Sequence, residues 1–537
     1  MSLHDDSEDR RRDLRAIGVL VLVALPLLAG AGGLKTLWDN HEARLALGAA
    51  EMARSGDYLT PTNGGVPVPF YPPLGYWVLL LAARLFGGFG EFILRLPSAL
   101  AGLACVLGTY RLGARAFGRG TGLVAGFLLL SVAGFTCKVV SCQPDALLLF
   151  FMFSALALFA EYLEAPRLFL LYAMYAAMGL ACLAKGPQGI LLPSLVIGLW
   201  WIRRRSWRTL GDLRPFTGVL LLAAILALWI GPAFAADRGV WLRTHLRENL
   251  DMFAGGGLAK HLAGSHYYVV RIAAFAFPWT LFFLPAFRGG RKAEPGREAG
   301  QVEFLWIWAL VFFVFYSLAA GKRDYYLLPV YPPLAILLAR DGLTSPSPAT
   351  LGAGRGTAAV LLVLAAAGEI VAPFVPDDVL AKNGIARAEA LLIAHLSAVA
   401  AVAISACLLA TRPRRKLPVL IGTTLAGLVF YLTVLIPVRD REGVRGRDFC
   451  GRARSAAGME GEVALVGVSN EVIFYVSAPN RSVGTVAELF AAGEGGLPVF
   501  LAAPEAVYRR EPDLQRRYRI LFRGDLERDN LVFCRKL

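Results

Sequence analysis

The chain lacks the marks of several chemistries. Its seven cysteines show no C-x-x-C and no zinc-finger spacing, so neither a thioredoxin-like redox motif nor a structural zinc site has its ligands. The stretch after residue 437 has no G-x-G-x-x-G turn and no P-loop, which argues against dinucleotide binding and nucleotide hydrolysis there. No long internal repeat is present, and no basic cluster alternates with aromatics. The formal net charge of +15 therefore gives no reason to expect a nucleic-acid partner. Charged residues make up only 18% of the chain.

Apolar residues dominate instead, at 56% of 537 residues, with a mean hydropathy of +0.55. A soluble protein of this size has too much surface for that composition, so a polytopic membrane protein is expected. The N-terminal "MSLHDDSEDRRRDLR" has the basic residues of a signal peptide. However, the apolar run behind it, 16–33, is long for an h-region and no A-x-A-like site closes it. We expect a retained first span that enters from the cytoplasm.

Apolar runs of spanning length recur near 91–112, 120–136, 145–161, 169–184, 188–202, 216–236, 268–287, 303–320, 325–340, 357–376, 388–411 and 417–437. The stretch 73–88 is apolar but brief. If it is left out, the Arg-rich and Lys-rich loops "RLGARAFGRG", "RRRSWRTLGDLR", "FRGGRKAEPGRE" and "TRPRRK" all fall inside; counting it puts them outside. The expectation is thus about thirteen spans, with 73–88 lying at the outer surface and the C-terminus outside. The charge is then the ordinary cytoplasmic bias of a membrane protein. After residue 437 short Val/Ile/Leu runs alternate with Gly, Asn and Pro turns. This predicts a transmembrane domain over 1–437 and a small soluble α/β domain over 438–537 with buried central strands. Cys105, Cys182 and Cys407 fall in spans as small core residues. In an oxidising outer compartment Cys137–Cys142 and Cys450–Cys534 are candidate disulfides.

With that topology the ionisable groups collect on the outer face. The first outer loop, 34–90, holds Asp39, His41, Glu42 and Arg44 in "LWDNHEAR". Asp145 starts a span and Lys185 ends one. "RENLDMF…KHLAGSHYY" brings His261 and His266, and "AAGKRDYYLLP" brings Lys322, Arg323 and Tyr326. Ionisable groups at a membrane boundary are costly unless paired or facing an aqueous cavity, so they default to function. Each also has a plain reading. Asp145 suits the first turn of a helix, Lys185 could reach the headgroups, and the two histidines suit an ordinary loop. Lys322 and Arg323 are outer cations placed against the positive-inside bias and point to an anionic ligand such as a phosphate. Carboxylates for proton transfer, cations for phosphate and apolar walls for lipid are together the equipment for moving a group off a membrane-anchored phosphate carrier.

The ordered segments "HEAR…EMARSGDYLTPTNGGVPV…PPLGYW…RLPSALAG", "QPDALLLFF", "LAKGPQGILLP", "AFPWTLFFLP" and "FYSLAAGKRDYYLLPVYPPLAIL" resemble the bacterial polyprenyl-phosphate-dependent glycosyltransferases that include lipid A aminoarabinose transferase. These are distant relatives of protein O-mannosyltransferases, and the resemblance covers about four fifths of the chain. It implies a mainly α, polytopic helical bundle of the C-type glycosyltransferase fold in the bacterial inner membrane. It also implies a polyprenyl-phosphate sugar donor, undecaprenyl phosphate or similar, and a glycolipid, glycan or protein acceptor. In the family, acidic residues prepare the acceptor and basic residues hold the carrier phosphate. By position Asp145 matches the family's second Asp, Glu42 and Arg44 its first motif, Lys185 its T-K-G lysine, His261 its loop His, and Lys322 and Tyr326 its K-x-x-x-Y segment.

The sequence departs from the family in two places. His41 stands where relatives carry Asp, with Asp39 two residues earlier. "PFYPP" replaces Phe-Glu-Lys-Pro-Pro, so Phe70 and Tyr71 stand for a Glu and a Lys. The family's Glu helps form a cation site and its Lys bears on substrate handling. No metal ligand is therefore assigned, a divalent cation finds no support in this segment, and the sugar and the acceptor, lipid A among the candidates, stay open. Asp39, Glu42 and His41 remain competing candidates for the first-loop base, Glu42 slightly ahead of Asp39. A lipid or sugar transporter is the alternative; it should show related halves and broken helices at the bilayer midplane, whereas no repeat is seen and the polar residues gather on one face.

Overall fold

The computed structural model describes residues 3–37, 39–67, 71–204, 211–255, 262–283, 286, 296–344, 348–376, 387–410, 413–458, 462–476, 480–483, 485–491, 497–524 and 530–537. It is mainly α. After α1 (Leu3–Gly30) the chain turns into α2 (Asn40–Ser55). The Asp39 carboxylate caps α2 by accepting from the His41 amide, and Gly56 at φ 73° stops it. Both are standard end signals, a short acceptor at the start and a left-handed glycine at the finish. A hairpin of β1 (Thr62–Asn63) and β2 (Val66–Pro67) follows. Glu51 holds it by accepting from the Gly64 amide at 2.7 Å and the Thr62 hydroxyl at 2.5 Å.

The next helix, α3 (Leu74–Phe86), has 13 residues and packs on α2. The bundle then runs through α4 (Glu91–Phe117), α5 (Arg119–Ser131), α6 (Ala133–Val139), α7 (Asp145–Glu164), α8 (Leu168–Lys185) and α9 (Gln188–Arg204). It continues through α10 (Pro215–Asp237), α11 (Val240–Ala254), α12 (Tyr267–Phe275) and α13 (Arg297–Leu318). A 3₁₀ turn over Asp324–Val330 leads into α14 (Tyr331–Thr344), then α15 (Pro348–Val371), α16 (Arg387–Ala410) and α17 (Pro413–Phe430). Helices α4 and α5 cross where a Cβ on Gly122 would sit 2.7 Å from the Ala114 amide nitrogen, so this approach requires glycine.

Among the described residues nine helices are long and apolar enough to cross a membrane. A tenth crossing comes from α5 and α6 if they form one span bent by 70° at Val132. At the bend the Thr136 hydroxyl donates to the Leu130 carbonyl at 2.5 Å, satisfying a backbone group the broken ladder releases. The remaining expected spans, 188–202, 268–287 and 325–340, fall on the shorter α9, α12 and α14. Outward residues such as Phe216 (82% exposed) and Leu228 (79%) form apolar surface that only lipid can cover. The chain is a polytopic membrane protein.

The C-terminal part is a mixed sheet beside α18 (Arg441–Ala457) and α19 (Asn470–Val476). Its strands are β3 (Val463–Val466), β4 (Asn480–Val483), β5 (Phe500–Pro504), β6 (Tyr518–Gly524) and β7 (Leu531–Lys536), in the order β4-β3-β5-β7-β6. β3 pairs parallel to β4 and β5, while β7 pairs antiparallel to β5 and β6. β3 is buried throughout, as its apolar sequence predicts. One core joins Leu45, Met52 and Tyr76 of the first loop to Phe449, Ile473 and Phe533, so the C-terminal sheet packs on α2 and α3.

All seven cysteines are free, which corrects the two candidate disulfides. Cys450 packs in the core shared with the first loop, whereas Cys534 belongs to the core on the other side of the sheet. Cys142 is likewise buried with the first loop, while Cys137 packs on the main bundle core.

Candidate active site

The first loop brings its polar residues to one end of the bundle but gives them different tasks. Asp39 is the helix cap, its Oδ1 2.9 Å from the His41 amide. Glu42 is buried and gripped on both oxygens by Arg95, with Nε to Oε1 at 3.0 Å and Nη2 to Oε2 at 2.7 Å. The Cys142 amide donates to Oε1 at 2.6 Å, and Lys35 lies 3.7 Å from Oε2. Burial alone would raise the Glu42 carboxyl; Arg95, Lys35 and the Cys142 amide outweigh it and hold the group at about 2. So low a value and so complete a set of partners suit a structural carboxylate rather than a general base. The Nε2 of His41 lies 3.2 Å from the Arg323 guanidinium.

Asp145 begins α7 and is buried. The Lys185 ammonium bonds its Oδ1, while Oδ2 is buried and bonded by no described residue. Lys185 closes α8 and sits over the ring of Tyr325 at 4.1 Å, with Tyr326 at 5.4 Å and Tyr71 at 5.8 Å. Tyr326 stacks on Tyr316 at 4.7 Å. A buried cation beside a carboxylate and three aromatic faces is held without water by ion pairing and the ring quadrupoles. Tyr71 is half-buried, and the loss of water around its hydroxyl raises that group's pKa. It lies within the field of Asp145, Arg44, Arg323 and Glu248, so those four charges converge on one site.

Lys322 does not join Arg323 in a clamp. Its ammonium turns back on the end of α13 and donates to the carbonyls of Tyr316 (3.1 Å), Ser317 (2.8 Å) and Ala319. It thus satisfies the orphan acceptors of a helix C-terminus, and burial lowers its pKa. Arg323 takes the other direction: its amide is fixed by the Tyr268 hydroxyl at 3.0 Å and its guanidinium reaches His41. His261 lies outside the described residues, and so does Phe70. His266 precedes α12.

Sequence reasoning missed Arg95, Tyr325, Tyr316 and Glu248, and it noted Tyr71 as an exchange without giving it a role. Arg95 was detectable, being a cation one turn inside an apolar run and therefore in need of a buried partner. The tyrosines gave no such signal, because aromatic residues at helical spacing usually belong to a core. Among the described residues no three His, Cys, Asp or Glu side chains come together as a metal site. With Phe70 standing where the family carries its Glu, the cation site implied by the resemblance lacks that donor in this sequence.

Comparison with known proteins bears directly on this constellation. The family described as "Dolichyl-phosphate-mannose-protein mannosyltransferase" matches residues 71–230, the stretch that carries Tyr71, Asp145 and Lys185. The undecaprenyl phosphate-alpha-4-amino-4-deoxy-L-arabinose arabinosyl transferase of Shewanella sediminis is 29% identical over 60% of this chain and 58% of its own length. Transferase 1 of the same description from Pseudomonas fluorescens is 30% identical over 59% of each chain. The crystal structure of ArnT from Cupriavidus metallidurans bound to undecaprenyl phosphate superposes with a TM-score of 0.80 at 23% identity, covering 96% of this chain and 97% of that one. The chain is similar in sequence to the arabinosyl transferases over part of its length and shares the fold of ArnT. The alignments span about three fifths of the length of these curated arabinosyl transferases, while the fold shared with ArnT extends over nearly the whole chain. Against the arabinosyl transferase pattern, the Tyr71 exchange puts an aromatic ring beside Lys185 where a second cation is expected.

Proposed function

We infer that the chain is an integral-membrane glycosyltransferase that moves a sugar from a polyprenyl-phosphate carrier to a lipid, glycan or protein acceptor. The observation that carries this reading is the buried Asp145–Lys185 pair, with one carboxylate oxygen unbonded, at the bundle end where His41 and Arg323 also arrive. An acceptor hydroxyl gives its proton to Asp145 Oδ2, and its oxygen bonds to the anomeric carbon. The bond from that carbon to the carrier phosphate breaks, and the electron pair leaves on the phosphate. Arg323, with His41 and Arg44, receives the developing phosphate charge. Lys185 and the tyrosines hold Asp145 and wall off water. Asp39, Glu42 and Lys322 act as positioning residues through the helix cap, the Arg95 pair and the end of α13.

In this reading the bundle is of the C-type glycosyltransferase fold with about thirteen crossings, the nine long helices and the bent pair being joined by α9, α12 and α14. The division is 1–437 for the membrane domain, with 34–90 as the outer catalytic loop, and 438–537 for an extracytoplasmic domain. The protein sits in the inner membrane with its N-terminus in the cytoplasm. The polar residues at one end, rather than at the midplane, favour this over a transporter. The test is to reconstitute the protein with a panel of polyprenyl-phosphate sugars and cell-envelope acceptors and to follow release of the free carrier by mass spectrometry. Release from at least one donor supports the reading; movement of intact donor across the bilayer with no release would favour the transporter.

A further inference from the structure

The opposite end of the bundle carries a cavity of about 470 Å³ between the C-terminal ends of α4, α7 and α9 and the N-terminal end of α13. Asp145 opens α7 and Glu161 and Glu164 close it, so about 24–28 Å of helix separates this cavity from the candidate active site, close to the thickness of a bilayer core.

The two halves of its lining differ in chemistry. The floor is apolar, made by Ala157, Ala160, Trp200 and Phe304, and it continues outward through Leu163, which is 37% exposed. Among the described residues the rim holds Arg111, Arg115, Arg204 and Arg297 with Glu161 and Glu164, four positive charges against two negative. Arg111 and Arg115 share the single carboxylate of Glu161, at 3.2 and 2.7 Å. Glu164 bonds Arg297 at 2.6 Å and also accepts from Gln301 at 2.8 Å. Arg204 lies over the Trp200 ring at 5.6 Å and 3.4 Å from Glu303, which Arg203 also bonds, so including that outer pair leaves the surplus unchanged.

We propose that this cavity binds an anionic phospholipid of the leaflet opposite the active site, its phosphate on the Arg111–Arg115–Arg297 rim and its acyl chains along the floor between α7, α9 and α13. A soluble anion would engage the rim alone and leave the apolar floor wet. A neutral lipid would leave the surplus charge unmatched. Only an anionic amphiphile matches both halves, and a basic pocket between membrane helices is a common seat for such headgroups.

The experiment is native mass spectrometry of the full-length protein in neutral detergent, titrated with phosphatidylglycerol, phosphatidylcholine or inorganic phosphate. Phosphatidylglycerol is expected to bind at least about tenfold tighter than phosphatidylcholine, and Arg111→Ala with Arg115→Ala to weaken it by about 30-fold. Ala160→Trp fills the floor, keeps every arginine and is expected to weaken phosphatidylglycerol as well, so a folding defect from the arginine changes cannot imitate the result. Equal binding of the two lipids, inorganic phosphate competing at the lipid's own affinity, or undiminished binding in both variants would overturn the proposal.

Discussion

Lys185 bonds one carboxylate oxygen of Asp145 and leaves the other, Oδ2, buried and bonded by no described residue. A buried acceptor with no partner costs roughly 1–3 kcal/mol, so the fold carries it at a loss. A substrate hydroxyl supplies the missing donor. Replacing Lys185 by Met therefore acts on both counts: it strands Asp145 without a cation in an apolar site and removes the group that orients it. We expect transfer to fall at least about 100-fold and the melting temperature to drop, since removing one partner of a buried pair costs roughly 3–5 kcal/mol. Thermal unfolding and a transfer assay on the same preparation check both.

The first-loop candidates separate by their partners. Glu42→Gln breaks the bidentate Arg95 pair and is expected to destabilise the protein by roughly 3–5 kcal/mol, with activity following stability. Asp39→Asn preserves a capping acceptor and is expected to be nearly silent. His41→Ala touches neither element, so its effect should appear in transfer with the melting temperature unchanged. A stable Glu42→Gln protein devoid of activity would restore Glu42 as the base.

Glu42 also sets an acid limit. Its folded value, about 2, lies below the ordinary glutamate value, so its contribution is full above roughly pH 4.5 and is lost as the pH falls toward 2. Melting temperature measured from pH 6 to pH 2 should decline across that window in the wild type. The acid-dependent part should shrink in Glu42→Gln.

Lys322 and Arg323 are adjacent but are expected to fail differently. Lys322→Ala removes three carbonyl bonds at the end of α13 and should lower stability. Arg323→Ala should raise the donor KM by about tenfold or more with little change in stability, because a charge-assisted bond to phosphate is worth roughly 1.5–3 kcal/mol. Steady-state kinetics in donor concentration, paired with thermal unfolding, separate the two.

Much of the architecture was legible from hydropathy and charge alone, because a bilayer imposes long apolar helices and a cytoplasmic excess of Arg and Lys. That is why α4, α7, α8 and α13 fall where their apolar runs predict. The same reasoning counts α9, α12 and α14 as ordinary spans, because composition does not register where a helix stops. At the site, sequence brought Asp145, Lys185, His41 and Arg323 to one face. It did not divide their work, because a carboxylate in a motif looks the same whether an arginine 53 residues later has already taken it, as Arg95 takes Glu42. Lys322 misled for a related reason: its charge was visible, but the carbonyls it turns toward carry no sequence signature.

The most direct test is Asp145→Asn in reconstituted protein supplied with a donor that the wild type accepts, following free polyprenyl phosphate over time. The exchange keeps shape and removes the proton acceptor. The account predicts release by the wild type, a loss of at least about 100-fold per folded molecule in the variant, and a lowered melting temperature like that of Lys185→Met, because Lys185 loses its charged partner. Release by Asp145→Asn at the wild-type rate would contradict it.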